Sequence, residues 1–508
     1  MNHPSTLTDL LAQGAPQDIA LTAPQRGPLT YAGLRALVQR TVERLNQLGL
    51  GGGDRIAISL PNGPDMAGAF LSVAAGATAC PLNPAYRADE FEFYLSDLRT
   101  SALIVESGDA SSAVEVARRL GVRVLTLTPR DDAGTFDLAE AGPGAQAPAP
   151  RGGPAAAGDL ALILHTSGTT SRPKSVPLTH ANVCTSACNV RDTLQLGPAD
   201  CGLNIMPLFH IHGLIAGLMA PLAGGGRVFC SPGFNALKFF AWMQEARPTW
   251  YTAVSTMHQT IVSRAGHNRQ IIAEHPLRFM RSSSASIPPQ VIAELEAAFN
   301  APLIEAYGMT EAAHQMASNP LPPAQRLPGS VGLAAGPDVA IMDETGQLLP
   351  AGSTGEIVIR GANVTSGYEN NPKANAEAFT NGWFRTGDQG TMNAQGYLFI
   401  TGRLKEIINR GGEKISPREV DEVLLDHPAV ARAVTFAVPH EKLGEEVAAA
   451  VVLREGSTAT ERELRDFVGQ RLADFKVPRK ILMLDDLPKG ATGKVQRIGL
   501  AQKLGLAP

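Results

Sequence analysis

The residues best suited to chemistry lie together at 165–176, HTSGTTSRPKSV. They follow an apolar run, Leu160-Ala161-Leu162-Ile163-Leu164, that reads as a buried strand. A turn rich in hydroxyls and glycine after a strand suits phosphate. Hydroxyls and backbone N–H groups replace its hydration, and Lys174 supplies positive charge. A Walker loop, G-x-x-x-x-G-K-[ST], is excluded by one residue. Counting from Gly168, its second glycine falls on Pro173, which has no N–H to give. Four later segments carry similar densities of reactive side chains: AYGMTEAA (306–313), WFRTGDQG (383–390), GRLKEIINRGGEKISPREVD (402–421) and LPKGATGKVQR (487–497).

The elements that must position these groups alternate. Helical spacing runs over 29–50 and 66–77, and strands are expected at 55–60, 101–106 and 122–127. Such alternation predicts an α/β fold with parallel-rich sheets. Residues 129–158, rich in Pro, Gly, Ala and Asp, read as an exposed loop. From about Thr345 the texture changes to short strands and turns, a β subdomain (355–361, 396–403). A small α+β unit then follows: helices over 416–428 and 460–472, and strands over 433–439 and 447–453. The expected division is a large N-terminal domain, 1–402, and a small mobile C-terminal domain, 403–508.

The 508 residues suffice for an extensive core. A net charge of −4, with 44% apolar and 18% charged residues, argues against a nucleic-acid or membrane-surface binder. The longest apolar stretch, 213–222, is too short to span a bilayer. Five scattered cysteines without a CxxC pair fit reduced thiols, and with an N-terminus unlike a signal peptide they predict a cytoplasmic protein. Monomer and homodimer are both compatible with the sequence.

HTSGTTSRPKSV resembles the phosphate loop of the AMP-forming adenylate synthetases: acyl-CoA synthetases, firefly luciferase and peptide-synthetase adenylation domains. The family carries Gly where this chain has Ser171 and Ser175. The other four segments follow in the family's order, so the resemblance covers nearly the whole chain. It implies ATP, Mg²⁺ and coenzyme A as cofactor and co-substrates. It places Thr166, Ser167, Gly168, Thr169, Thr170 and Lys174 on the β- and γ-phosphates, Thr310 on the α-phosphate and Glu311 on the metal. Ser284, Ala285 and Ser286, with Glu305, Ala306 and Tyr307, would line the adenine slot, Tyr307 stacking on the base. Asp388 would accept both ribose hydroxyls, with Arg403 as a second ribose contact. Lys494 would bridge the substrate carboxylate and the α-phosphate. Lys405 matches the domain hinge, and Asn409, Arg410, Gly411, Gly412, Glu413 and Lys414 would line the thiol tunnel.

Four histidines fall on segments the family uses for its acyl pocket: His210 and His212 in PLFHIHGL, His258 in STMHQTIVSR and His314 in MTEAAHQM. With Arg264 they suggest a polar acid with a second negative charge, since a long acyl chain would need apolar walls. His210 matches a common gating position, whereas His165 and His180 read as structural. The wording of the motifs is closest to oxalate–CoA ligases of plants and fungi. That similarity gives the distal carboxylate to His314 and Arg264, with Ser284 and His212 adding donors. Gly308, often alanine there, implies a roomier pocket open to malonate. Short- or medium-chain and aromatic acyl-CoA ligases remain alternatives. An amino-acid adenylation enzyme is less favoured, because Asn235 follows Phe234 where an aspartate is usual. A luciferase-like oxygenase shares the family fold. A non-catalytic binding protein would be expected to lose Glu311, Asp388 or Lys494.

Overall fold

The computed structural model describes residues 3–140, 148–166, 173–488, 495 and 497–507. They form two compact units: the described residues within 1–166, 174–339 and 360–377, and residue 173 with 340–359 and the described residues from 378 onward. The first contains two sheets. One has seven strands in the spatial order Phe136–Glu140, Arg123–Pro129, Ala102–Glu106, Arg55–Ile58, Thr78–Pro81, Leu160–Thr166, Lys174–Thr179. The other has nine: Leu333–Ala334, His314–Ser318, Leu303–Met309, Phe279–Ser282, Trp250–Ala253, Cys201–Asn204, Arg227–Cys230, Ile19–Thr22, Leu29–Thr30. In each the central pairs are parallel and the edge pairs antiparallel. Central strands such as Thr78–Pro81 and Trp250–Ala253 are buried at every position, as parallel strands covered on both faces must be.

The helices follow from spacing and caps. In Tyr31–Gln47 the buried residues Tyr31, Leu34, Leu37, Val38, Val42 and Leu45 fall on one stripe, and the Thr30 side chain caps the N-terminus by accepting from Gly33 N. Helix His180–Thr193 starts directly after strand Lys174–Thr179, with Thr179 and Asn182 closing a reciprocal capping box. Two expectations change. Leu29 and Thr30 belong to a strand rather than to the helix. The loop expected over 129–158 contains the edge strand Phe136–Glu140, antiparallel to Arg123–Pro129. The inward Phe136 outweighs the turn-like composition around it.

Within the apolar stretch 213–222, residues His212–Met219 form a wide turn in which Ala220 N bonds to Ile215 O. Glycine permits it: a Cβ on Gly213 would lie 2.2 Å from Pro207 O. All five cysteines are buried and free. No helix among the described residues is long and apolar enough to cross a membrane.

The second unit holds a five-stranded sheet built on Thr354–Arg360 and Trp383–Met392, with Leu398–Arg403 paired to the latter. Its other sheet pairs Val430–His440 with Gly444–Leu453, flanked by hairpin Ile408–Arg410/Glu413–Ile415 and parallel strand Lys480–Met483.

Candidate active site

Thr166 and Lys174 face each other across the antiparallel strands that lead into and out of the phosphate motif. Ser167, Gly168, Thr169 and Thr170 lie outside the described residues. One pair further from the motif, His165 and Ser175 are bound to one carboxylate. His165 Nε2 is 2.8 Å from Asp97 Oδ2, and the Ser175 hydroxyl donates to the same oxygen at 2.8 Å. Burial alone would raise the Asp97 carboxyl, but these two contacts hold it below the usual range. Ser175, where the family has glycine, thus gives Asp97 a partner on the second strand.

Lys174 Nζ sits 4.3 Å from the centre of the Tyr368 ring, and the Tyr368 hydroxyl donates to Glu311 Oε1 at 2.8 Å. Glu311 is 5% exposed and lies with Thr310 in the short turn Thr310–Ala312, between strands Leu303–Met309 and His314–Ser318. A strap over 363–369 holds this hairpin. Asn363 Nδ2 donates to Ala312 O (2.8 Å) and Gln315 O (3.0 Å), and Thr365 N to Glu311 O (2.8 Å). Glu369 N then bonds to Ser175 O. The sequence reading missed Asn363, Thr365 and Tyr368; the Gly367-Tyr368 pair was the available signal. Glu311 alone suits Mg²⁺, which takes one or two carboxylates and completes its shell with water and phosphate oxygens.

Glu305, Ala306 and Tyr307 lie on strand Leu303–Met309 and are all under 10% exposed. Ser284, Ala285 and Ser286 follow strand Phe279–Ser282; Ala285 and Ser286 are exposed, and Ser284 is half-buried with φ +70°. Such a backbone angle at a serine is strained and is typical of functional sites.

The structure gathers part of the expected acyl pocket. The rings of His212 and His314 stack at 4.8 Å and 20°, both fully buried. His212 Nδ1 lies 3.1 Å from Ser284 Oγ, and Nε2 lies 2.6 Å from Thr252 Oγ1. His210 is half-buried just before the wide turn, its Nδ1 accepting from His212 N. His258 departs from the expectation. Side chains of successive strand residues point to opposite faces, and His258 bonds Tyr251 rather than Thr252. Its Nδ1 meets the Tyr251 hydroxyl and its Nε2 the Arg281 carbonyl, each at 3.1 Å. It is therefore a core residue across the sheet from His212, and burial pushes it down to about 4. Arg264, at the C-terminal end of helix Ser255–Ala265, is half-buried and makes no side-chain hydrogen bond or ion pair among the described residues. The roomier pocket expected at Gly308 is also absent. A Cβ there would lie 1.7 Å from His314 O, so Gly308 makes space for backbone, not substrate.

The cation beside the histidines is Arg281, which the sequence reading passed over. It pairs in register with Thr252 and is 0% exposed. Nη1 reaches Thr252 Oγ1 (3.3 Å) and His212 Nε2 (3.4 Å), and Nη2 donates to Gln315 Oε1 (3.2 Å). No carboxylate lies within ion-pair distance among the described residues. Burial lowers the guanidinium to about 9, so it stays charged at neutral pH. An arginine directly after the apolar pair Phe279-Met280 was the signal.

In the second unit Asp388 and Arg403 are a register pair, with Arg403 Nε donating to Asp388 Oδ1 at 3.2 Å. Asp388 is 7% exposed. Lys405 is exposed in the turn Leu404–Glu406. Gly411 and Gly412, at φ +59° and +100°, close the hairpin that carries Asn409, Arg410, Glu413 and Lys414. Arg410 is engaged by Glu446 at 2.6 and 3.1 Å. Lys494 lies outside the described residues. Arg497, shortly after it, bonds Glu406 at 3.0 Å and also Asp421.

These elements define a class. The family profile described as "AMP-binding enzyme" matches residues 10–369, and that described as "AMP-binding enzyme C-terminal domain" matches 419–494; the chain belongs to the AMP-binding enzyme family. Within it, the chain is 45% identical to an oxalate–CoA ligase of Arabidopsis thaliana, covering 98% of each chain. It is 42% identical to an oxalate–CoA ligase of Saccharomyces cerevisiae, over 88% of this chain and 86% of that one. Among solved structures, ATP-bound MatB from Rhodopseudomonas palustris superimposes with a TM-score of 0.88 at 29% identity, over 99% of both chains.

Proposed function

We propose that this chain is an acid–thiol ligase that converts oxalate, ATP and coenzyme A to oxalyl-CoA, AMP and pyrophosphate. The chain is an AMP-forming acid–CoA ligase by family, and that family uses ATP, Mg²⁺ and coenzyme A. The choice of acid rests on one observation: a buried histidine stack and a buried guanidinium stand behind the half-exposed hydroxyl of Ser284. Such a polar wall suits a short dianion and repels an acyl chain.

In the first step a carboxylate oxygen attacks the α-phosphorus, the acyl-adenylate forms, and pyrophosphate leaves. The acid is already ionised at neutral pH, so no base is required and positioning carries the step. Lys174 and Thr166, with Ser167, Gly168, Thr169 and Thr170, neutralise and hold the leaving phosphates. Thr310 contacts the α-phosphate, Asp388 and Arg403 hold the ribose, and Tyr307 with Glu305, Ala306, Ala285 and Ser286 receives the base. Mg²⁺ held by Glu311 would neutralise phosphate charge. Lys494 steadies the charge that develops between carboxylate and phosphorus. In the second step the coenzyme A thiol attacks the acyl carbon, AMP leaves, and the thioester forms. Residues 1–402 and 403–508 act as separate domains about Lys405, so that hairpin 408–415 replaces Lys494 for this step. Buried free cysteines fit a reducing cytoplasm.

The test is AMP release by purified protein with MgATP and coenzyme A, comparing oxalate, malonate, acetate, butyrate, octanoate and coumarate. Oxalate is expected to give the highest kcat/KM. A higher value for any monocarboxylate refutes the choice of acid.

A further inference from the structure

Arg281 is a fully buried charge with no counter-ion among the described residues, and its Nε has no hydrogen-bond partner. That is an expensive arrangement for a side chain that only packs. Its surroundings show what the charge does. A guanidinium can only donate. Nη1 donates to Thr252 Oγ1 at 3.3 Å, which turns the Thr252 hydrogen toward its nearest neighbour, His212 Nε2 at 2.6 Å. The same Nη1 lies 3.4 Å from that nitrogen. Both neighbours therefore need a lone pair on Nε2. The imidazole proton must then sit on Nδ1, where it donates to Ser284 Oγ at 3.1 Å. Ser284, now an acceptor from His212, directs its own hydrogen elsewhere, and among the described residues its hydroxyl has no other partner. Gln315 fixes the other end: its Nε2 donates to Thr193 Oγ1 and Ala335 O, so its Oε1 faces Arg281.

We propose that Arg281 is a positioning residue that holds His212 as the neutral Nδ1–H tautomer, so that Ser284 presents its hydroxyl hydrogen to the acid's distal carboxylate. This rests on the dicarboxylate reading given above and changes its chemistry. The distal carboxylate meets a hydroxyl backed by a buried cation, not an imidazolium. Protonated His212 would point a second N–H at Arg281 and Thr252, with the lone pair that both require gone.

The test uses the full chain labelled with ¹⁵N-histidine. The tautomer of His212 is read from two-bond ¹H–¹⁵N correlations, and its signals are assigned by their loss in His212→Asn. The expected pattern is Nδ1–H from pH 6 to 8, kept in Arg281→Lys and lost in Arg281→Gln. Arg281→Gln and Ser284→Ala should each raise KM for oxalate about tenfold or more, and Arg281→Gln should leave KM for ATP unchanged. The double variant should be no worse than either alone, since one route is cut in two places. An Nε2–H or doubly protonated His212 in the unsubstituted protein overturns the proposal, as do additive effects of the two substitutions. If Arg281→Gln does not fold, the unsubstituted protein and Ser284→Ala still decide. A wild-type preference for monocarboxylates would sink the oxalate reading alone, because the tautomer is measured without any acid present.

Discussion

His258 and His212 are the same residue type on opposite faces of one sheet, and they should respond to substitution in opposite ways. His258 is held near a pKa of about 4 by burial, against about 6.5 in the unfolded chain. Between those values the unfolded state binds the extra proton, so stability is fully present above about pH 6.5 and is lost as pH falls toward 4. By pH 5 this residue alone costs about 2 kcal/mol. His258→Gln should therefore shrink the difference between urea midpoints at pH 5 and pH 7. His212→Gln should instead raise KM for the acid about tenfold or more. A midpoint difference unchanged by His258→Gln would mean that its burial is not what makes the protein acid-sensitive. The residue types were legible in sequence, but the face was not. Period-two alternation places Tyr251 and Thr252 on opposite sides only once strand and register are known, and a neighbouring helix then decides which histidine meets which face.

At the scale of elements, the hairpin 303–318 joins Glu311, proposed to hold Mg²⁺, to His314, proposed to stand behind the acid, through one tight turn. Gly308 lets its strands close, and the strap 363–369 fixes the turn from outside. Gly308→Ala must push the His314 carbonyl aside. The expected result is a loss of about 1–3 kcal/mol in stability, in the range of overpacked interiors, and a higher KM for the acid. Thermal melts with oxalate kinetics check this; a tighter malonate site at unchanged stability would restore the pocket-size account of this glycine. The strands and helices around the hairpin were readable from alternation and caps. The strap was harder to read, because its Asn363 amide is aimed at the backbone carbonyls of Ala312 and Gln315, which carry no sequence signature. Phe136–Glu140 was hidden likewise, by the turn-forming residues that surround it.

At the scale of the molecule, the five motifs run through both parts of the chain, and the proposed mechanism gives the C-terminal part its role through Lys494. Lys494→Ala is expected to cut oxalate-dependent pyrophosphate release by about a thousandfold, the upper range for one electrostatic group. Oxalyl-CoA formation from supplied oxalyl-AMP should stay near wild type. Equal loss of both half-reactions would mean that the two steps share one arrangement. The burial of every cysteine has a further consequence. An oxalyl-adenylate and an oxalyl thioester are both acyl donors, and any thiolate within reach would become an unintended acceptor. Burial raises the thiols of Cys80 and Cys230 to about 12 and raises those of Cys184, Cys188 and Cys201 as well. The enzyme is thereby protected from acylating itself, and the thiol of the incoming co-substrate has no rival within the protein.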